Sequence, residues 1–195
     1  RAVSTEGAYN RGGNIELVYE DGVGVTNKIC VRSYAGSLSI NGTIVTADGE
    51  WHHLQLNRAS GVVSLWVDGV QSGSNSSDST SFGNAKFFFG ASGDGSGSKG
   101  RMEASFDDIR ITKGSVRSTG LPTEALLGVA VEAINTPANL SKYGNAMADF
   151  RTANSYLSVA DHAGFNFGVG DFTAEAWVKP VDVNKTTTVT DPHWD

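Results

Sequence analysis

The sequence predicts an all-β domain, a sandwich or a barrel, and three observations carry that expectation. The first is the stretch from Trp51 to Gly69, WHHLQLNRASGVVSLWVDG. In Trp51–Arg58 the apolar Leu54 and Leu56 alternate with Gln55 and Asn57, and in Val62–Asp68 Val63, Leu65 and Val67 alternate with Ser64, Trp66 and Asp68. Strict period two marks a strand with one face on a core and the other toward water or a second layer. The second observation is punctuation: 24 glycines, with many Ser, Thr and Asn, break the apolar residues into short runs, the pattern of many short strands and turns. The third is that no amphipathic helix of any length can be traced.

Taken in order, residues 1–14 read as a strand end and a Gly-rich turn. Ile15–Tyr19 is a strand with Ile15, Leu17 and Tyr19 on one face, and Asp21-Gly22 is a turn. Lys28–Ser33 and Ser37–Ile40 are strands, and Asn41-Gly42 is a strong short-hairpin signal because both positions tolerate positive φ. Ala59-Ser60-Gly61 closes the opening hairpin, and Asp68-Gly69 marks the next turn. Residues 71–81 and 92–100 are polar loops around a short strand, Phe87–Phe89. Ala104–Thr112 is a strand, Lys113–Thr123 an irregular tail, and Glu124–Ala133 either a helix start or a strand, with Val129, Val131 and the interrupting Gly128 favouring the strand. Met147–Val159 holds two short strands, with Tyr156–Val159 the clearer, and Ala163–Gly170 is an aromatic-bearing turn. Asp171–Pro180 is a strong strand, with Phe172, Ala174, Ala176 and Val178 on one face and Thr173, Glu175 and Trp177 on the other. The remainder to Asp195 is polar.

Composition narrows the function classes. The 195 residues suit one large all-β domain or two small ones, and a hydrophobic fraction of 39% is enough for a core. Net charge is −6, from 15 basic and 21 acidic residues, and no Lys/Arg cluster exceeds two neighbours. No electrostatic footprint for nucleic acid is therefore expected. No apolar run approaches the roughly 18 residues of a helical membrane span. The first residues, RAVSTEG, do not read as a signal peptide, so a mature or excised segment is expected. Cys30 stands alone, which excludes an internal disulfide, and its neighbours Ile29 and Val31 predict a buried thiol.

Several motifs together resemble a family. WHHLQLNR, VVSLWVDG, FFFG and SFDDIRITKGSVR look like the later half of a laminin G-like, concanavalin A-type jelly roll. SKYGNAMADFRTANSYLSVADHAGFNFGVGDFTAEAWVKP looks like its opening half. The similarity is greatest to versions found in bacteriophage virion proteins and large bacterial surface proteins. It implies an all-β, two-sheet antiparallel jelly-roll sandwich. The two halves occur in reversed order, so a circularly permuted module is expected. It would be built from residues 1–123 and 139–195, with a connector at 124–138. The alternative is a window across tandem modules, with 1–123 ending one and 124–195 opening the next. Permutation is favoured because Asp195 joined to Arg1 restores the family's strand order, and because two half-sandwiches would expose edges and inner faces. Exchange of halves between neighbouring chains is a third arrangement.

The resemblance implies a non-enzymatic module on a virion or cell surface. Its role would be adhesion, glycan recognition or decoration of a larger assembly, as part of an oligomer. Partners would be a glycan or host-surface polysaccharide and other virion or surface-protein subunits. A purely structural capsid or tail component is the alternative, and a glycan hydrolase or lyase is a third reading. Retaining glucanases need two carboxylates about 5–5.5 Å apart. The family's E-x-D-x-x-E run is missing, and the nearest substitute is Glu103 with Asp107 and Asp108. Asp108 and Arg110, on one face of a regular strand, are expected to pair and close the sandwich, with Trp51 also structural. His52 and His53 point to opposite faces and are not expected to share a metal ion. His162 and His193 have no ligand spacing. If a cofactor is present it is expected to be calcium at a loop rim, with Asp78, Asp94, Asp161 and Asp171 as candidate ligands. For a sugar, which needs flat aromatic surface beside amides and carboxylates, the candidates are Trp66, Trp177 and Trp194.

Overall fold

The computed structural model describes residues 3–6, 15–20, 27–33, 38–79, 81, 86–89, 104–122, 142, 148–149, 157–159 and 166–180. The strand expected at Glu124–Ala133, the loop at 92–100 and the junction of Asp195 with Arg1 lie outside them. All regular elements among the described residues are strands: β1 (Val3–Glu6), β2 (Ile15–Glu20), β3 (Lys28–Ser33), β4 (Ser39–Ile40), β5 (His52–Ala59), β6 (Val62–Val67), β7 (Val70–Gln71), β8 (Ser76–Ser77), β9 (Lys86–Phe89), β10 (Ala104–Lys113), β11 (Ala148–Asp149), β12 (Leu157–Val159) and β13 (Phe172–Pro180). They form two antiparallel sheets. The first runs β12-β9-β1-β2-β3-β4; the second runs β11-β10-β13-β5-β6-β7, with β8 also paired to β6. The all-β, two-sheet jelly-roll class read from the sequence is the fold.

The core lies between the sheets and follows the period-two pattern. From the first sheet come Ile29, Val31 and Ile40, with Leu38 just before β4. From the second come Leu54, Leu56, Val63, Leu65, Val67, Phe106, Phe172, Ala176 and Val178. Phe167 stacks on Phe172 with ring centroids 4.9 Å apart. Cys30 is a buried free thiol, as its apolar neighbours predict.

Strand β13 sits in the middle of the second sheet, hydrogen-bonded to β5 on one side and β10 on the other. The last described segment of the chain and the Trp51–Gly69 hairpin are therefore parts of one sheet.

Turn chemistry sets the local register. Ser60 (φ 49°) and Gly61 (φ 76°) form the two-residue link between β5 and β6, and Asp68 (φ 52°) with Gly69 (φ 76°) links β6 to β7. Two consecutive positive φ values give the mirror-image turn whose twist matches antiparallel strands. Asn41-Gly42 differs from its sequence expectation, because neither residue takes a positive φ. Gly42 instead brings its backbone against β3, where a Cβ would overlap the carbonyl oxygen of Ile29. The glycine is there for close approach rather than for turn conformation.

In β10 the pairing with β13 shifts between Asp107 and Arg110, and Asp108 there has φ 48°. This β-bulge overturns the expected Asp108–Arg110 pair, which assumed unbroken alternation.

Candidate functional site

The second sheet has a polar face as well as an apolar one, and at β5 and β13 the polar face is buried too. In β5 every residue from His52 to Arg58 is buried, and in β13 Thr173, Glu175 and Trp177 are buried on the side away from the core. The cover is the irregular segment 114–122, which crosses this face as a strap. Gly114 N–H donates to Asp171 O (2.8 Å) and Arg117 N–H donates to Thr173 Oγ1 (3.0 Å). Gln55 Nε2 donates to the carbonyls of Ser118 (3.0 Å) and Arg117 (3.4 Å). Of the irregular tail expected at Lys113–Thr123, Lys113 ends β10 and residues 114–122 have a defined place on the sheet.

Strand register lines up one row of side chains across this face. Arg110 of β10 pairs with Glu175 of β13, Glu175 with Gln55 of β5, Gln55 with Trp66 of β6, and Trp66 with Gln71 of β7. Directly paired residues share a face, so a cation, a carboxylate, an amide, an indole and a second amide lie side by side. Four strand spacings of about 4.8 Å make the row roughly 19 Å long. Trp66 is half-buried, its Nε1 donating to Ser64 Oγ (3.0 Å), so part of the ring faces outward. Gln71 is exposed and donates to Asn75 Oδ1 (2.9 Å) and Gly73 O (3.1 Å). The strap crosses the row at Gln55.

Electrostatics concentrate at Glu175, whose side chain is only 2% exposed. Its Oε1 accepts from Arg110 Nε (2.7 Å) and Nη2 (2.6 Å), and lies 3.2 Å from Arg117 Nε. His53 Nε2 is 3.2 Å from Oε2, close but angled off the line of a good hydrogen bond. Burial alone would raise the Glu175 pKa, but His53 and Arg110 outweigh it and hold the carboxyl below its ordinary value. Arg110 therefore serves Glu175, 65 residues away, and not Asp108.

The next row pairs Asp107 with Trp177 and Trp177 with His53. Trp177 is 3% exposed, its ring 5.4 Å from that of His53 and capped by Lys142 Nζ at 4.2 Å. It packs inside the fold and offers no open sugar platform. Asp107 accepts backbone N–H bonds from Asp108 (2.9 Å) and Lys142 (2.8 Å).

The adjacent histidines do point to opposite faces. His52 lies at the end of the core face, with Nδ1 2.6 Å from Asp68 Oδ2 and Nε2 3.0 Å from Asp48 Oδ1. Burial disfavours its charged form, yet the bonds to Asp68 and Asp48 prevail and raise its pKa. Both carboxylates are correspondingly lowered, against their own burial.

The remaining candidates separate. Asp78 is not a solvated loop ligand: it is 3% exposed, and its Oδ2 lies 3.7 Å from the Nη1 of the equally buried Arg58. Asp171 Oδ1 accepts the Ser60 N–H at 2.7 Å, tying β13 to the β5–β6 turn. Trp51 is half-buried just ahead of β5. Trp194, Asp94 and Asp161 lie outside the described residues. Among the described residues no group of three or more His, Cys, Asp or Glu is placed to hold a metal ion, and no helix is long and apolar enough to cross a membrane.

Glu175, Gln55, Gln71 and Arg117 were not singled out by the sequence reading. Their one sequence signal is that the first two are the polar members of period-two strands. Their alignment with Trp66 depends on register between strands distant in sequence.

Comparison with curated proteins and with solved structures gives no significant match. Comparison with family models gives one that covers more than half of the chain, residues 2–119, described as the concanavalin A-like lectin/glucanases superfamily and of laminin G type. Its members include lectins and glucanases, so it is compatible with carbohydrate binding. With the two-sheet architecture already in view, the match shows that the chain belongs to this laminin G-like, concanavalin A-like superfamily.

Proposed function

We propose that the domain is a non-enzymatic carbohydrate-binding module, displayed on a virion or cell surface as part of a larger assembly, where it recognises a surface glycan. The observation that carries this reading is the row ending in Trp66 and Gln71. A partly open indole beside amide groups on a rigid sheet is what a pyranose needs, an apolar ring face with hydrogen-bonding edges around it. Binding requires no cofactor in this reading, and one circularly permuted module supplies both the β5–β6 hairpin and β13. Hydrolysis is disfavoured by the state of the central carboxylate. A general acid must be protonated at the working pH, and His53 and Arg110 hold the Glu175 carboxyl below its ordinary value and so ionised.

The test is Trp66→Ala, screened against a glycan array and then titrated calorimetrically with the best ligand. Loss of the stacking surface is expected to weaken binding about tenfold or more, with the fold retained. Wild-type protein that binds no glycan, or a variant that binds as well as wild type, refutes the reading.

A purely structural role in a capsid or tail is the second reading. The strap favours it, since it fills the middle of the row and leaves no continuous groove. Normal assembly without any glycan binding would select it.

A further inference from the structure

The arginine end of the row has a feature that structural pairing alone does not require. Two guanidiniums, Arg110 from β10 and Arg117 from the strap, converge on one oxygen, Glu175 Oε1, at 2.6–2.7 Å and 3.2 Å. One carboxylate neutralises one of the two positive charges. An oxygen contacted by three N–H groups is also saturated as an acceptor. Arg110 Nη1 and both Nη groups of Arg117 have no partner among the described residues. The Arg117 side chain is 44% exposed and that of Arg110 17%, so the spare donors are within reach of solvent. Asp107, one row along on the same face, is engaged by the backbone N–H groups of Asp108 and Lys142. The Lys142 ammonium over Trp177 adds another cation nearby.

We infer that Arg110 and Arg117 form a subsite for the carboxylate of an acidic sugar, a uronic acid unit within the glycan that Trp66 binds. This deepens the carbohydrate-binding reading and rests on it. Glu175 is the positioning residue: buried and ionised, it aims two planar forks that match a carboxylate in shape and charge. Arg110 and Trp66 stand three strand spacings apart, about 14 Å, with the strap between them over Gln55, so a single oligosaccharide that meets both passes over the strap and not along a groove. A neutral sugar gains nothing from the arginine end.

The probes are an oligogalacturonate and the neutral galactose oligomer of the same length. Each is titrated into wild type, Arg117→Ala, Arg117→Lys and Trp66→Ala. Arg117 is exposed enough for its variants to fold, which an unchanged melting temperature verifies. Wild type is expected to prefer the oligogalacturonate, with an affinity that falls as salt is raised. R117A is expected to weaken the acidic probe about tenfold or more and leave the neutral probe unchanged. R117K is expected to recover only part of the loss, because an ammonium lacks the fork. An R117A protein that binds oligogalacturonate like wild type overturns the inference while W66A continues to test the carbohydrate reading. Displacement of the oligomer by acetate at equal carboxylate concentration also overturns it, because the arginines would then read a carboxylate and not a sugar. Wild type that binds neither probe nor any arrayed glycan overturns both.

Discussion

Replacing Glu175 with glutamine keeps the volume and one acceptor oxygen but removes the charge. Arg110, with its side chain 17% exposed, then loses the carboxylate that receives two of its N–H groups. Removing one partner of a fully buried ion pair costs about 3–5 kcal/mol. Here the cost is reduced, because Arg117 is 44% exposed and water can share the stranded charge. The amide oxygen also still accepts one bond. A destabilisation of about 2–3 kcal/mol follows. Urea denaturation reads it directly. With a slope of about 2 kcal/mol per molar, the midpoint falls by about 1–1.5 M. Adding Arg110→Met to E175Q is expected to recover part of the loss, since it removes the stranded cation. The pH dependence has a definite sign. Glu175 is lowered from 4.5, so its contribution is full above that value and is lost as pH falls through the folded pKa. The gap between wild type and E175Q therefore closes in acid. A midpoint within about 0.2 M of wild type at neutral pH, roughly 0.4 kcal/mol, would refute the view that Glu175 organises this face.

Two further substitutions probe the scaffold. His52 is raised above 6.5, and Asp48 and Asp68 are lowered from 3.8, so the His52 clamp stabilises most between those values. Stability from His52 declines as pH rises through its folded pKa, and that from the carboxylates declines as pH falls through theirs; NMR titration of the imidazole is expected to give a midpoint above 6.5, and His52→Ala should flatten the stability profile across that range. Gly42→Ala is expected to destabilise by about 2 kcal/mol or more, because the new methyl meets backbone at Ile29 O and not a movable side chain; a thermal melt coincident with wild type contradicts the close approach.

The extent to which this molecule was legible in its sequence differs between its two faces. The core face was readable because burial follows period two: Leu54, Leu56, Val63, Leu65 and Val67 are apolar where the alternation requires it. The other face was expected to meet water or a covering layer, and it is covered. Nothing in GSVRSTGLP says where an irregular segment will lie, since most of its anchors are backbone groups, the Arg117 and Ser118 carbonyls and the Arg117 N–H, with only the Arg117 guanidinium added from a side chain. The Asp108–Arg110 expectation failed for a different reason. One extra residue in a strand reverses the facing of everything beyond it, and the bulge has no glycine to announce it. For Trp177 both a sugar platform and packing under a cover were open, because a tryptophan opposite an apolar face reads the same whether a ligand or Lys142 covers it. The site row was invisible until register was known, since Gln55 and Glu175 are 120 positions apart in the chain and side by side in the sheet.

The central place of β13 has a consequence for how the protein is made. While residues 172–180 are unsynthesised, β5 and β10 each carry a row of unpaired peptide groups, and the apolar face of the second sheet stays incomplete. Completion waits for one of the longest-range pairings in the chain, a topology that folds slowly. During that wait the gap between β5 and β10 has the shape of a strand, and any matching segment that arrives first can fill it. At high local concentration, as among nascent chains on one message, the first arrival can be β13 of a neighbour. The strand that completes the monomer is thus also the one best placed to stitch copies together.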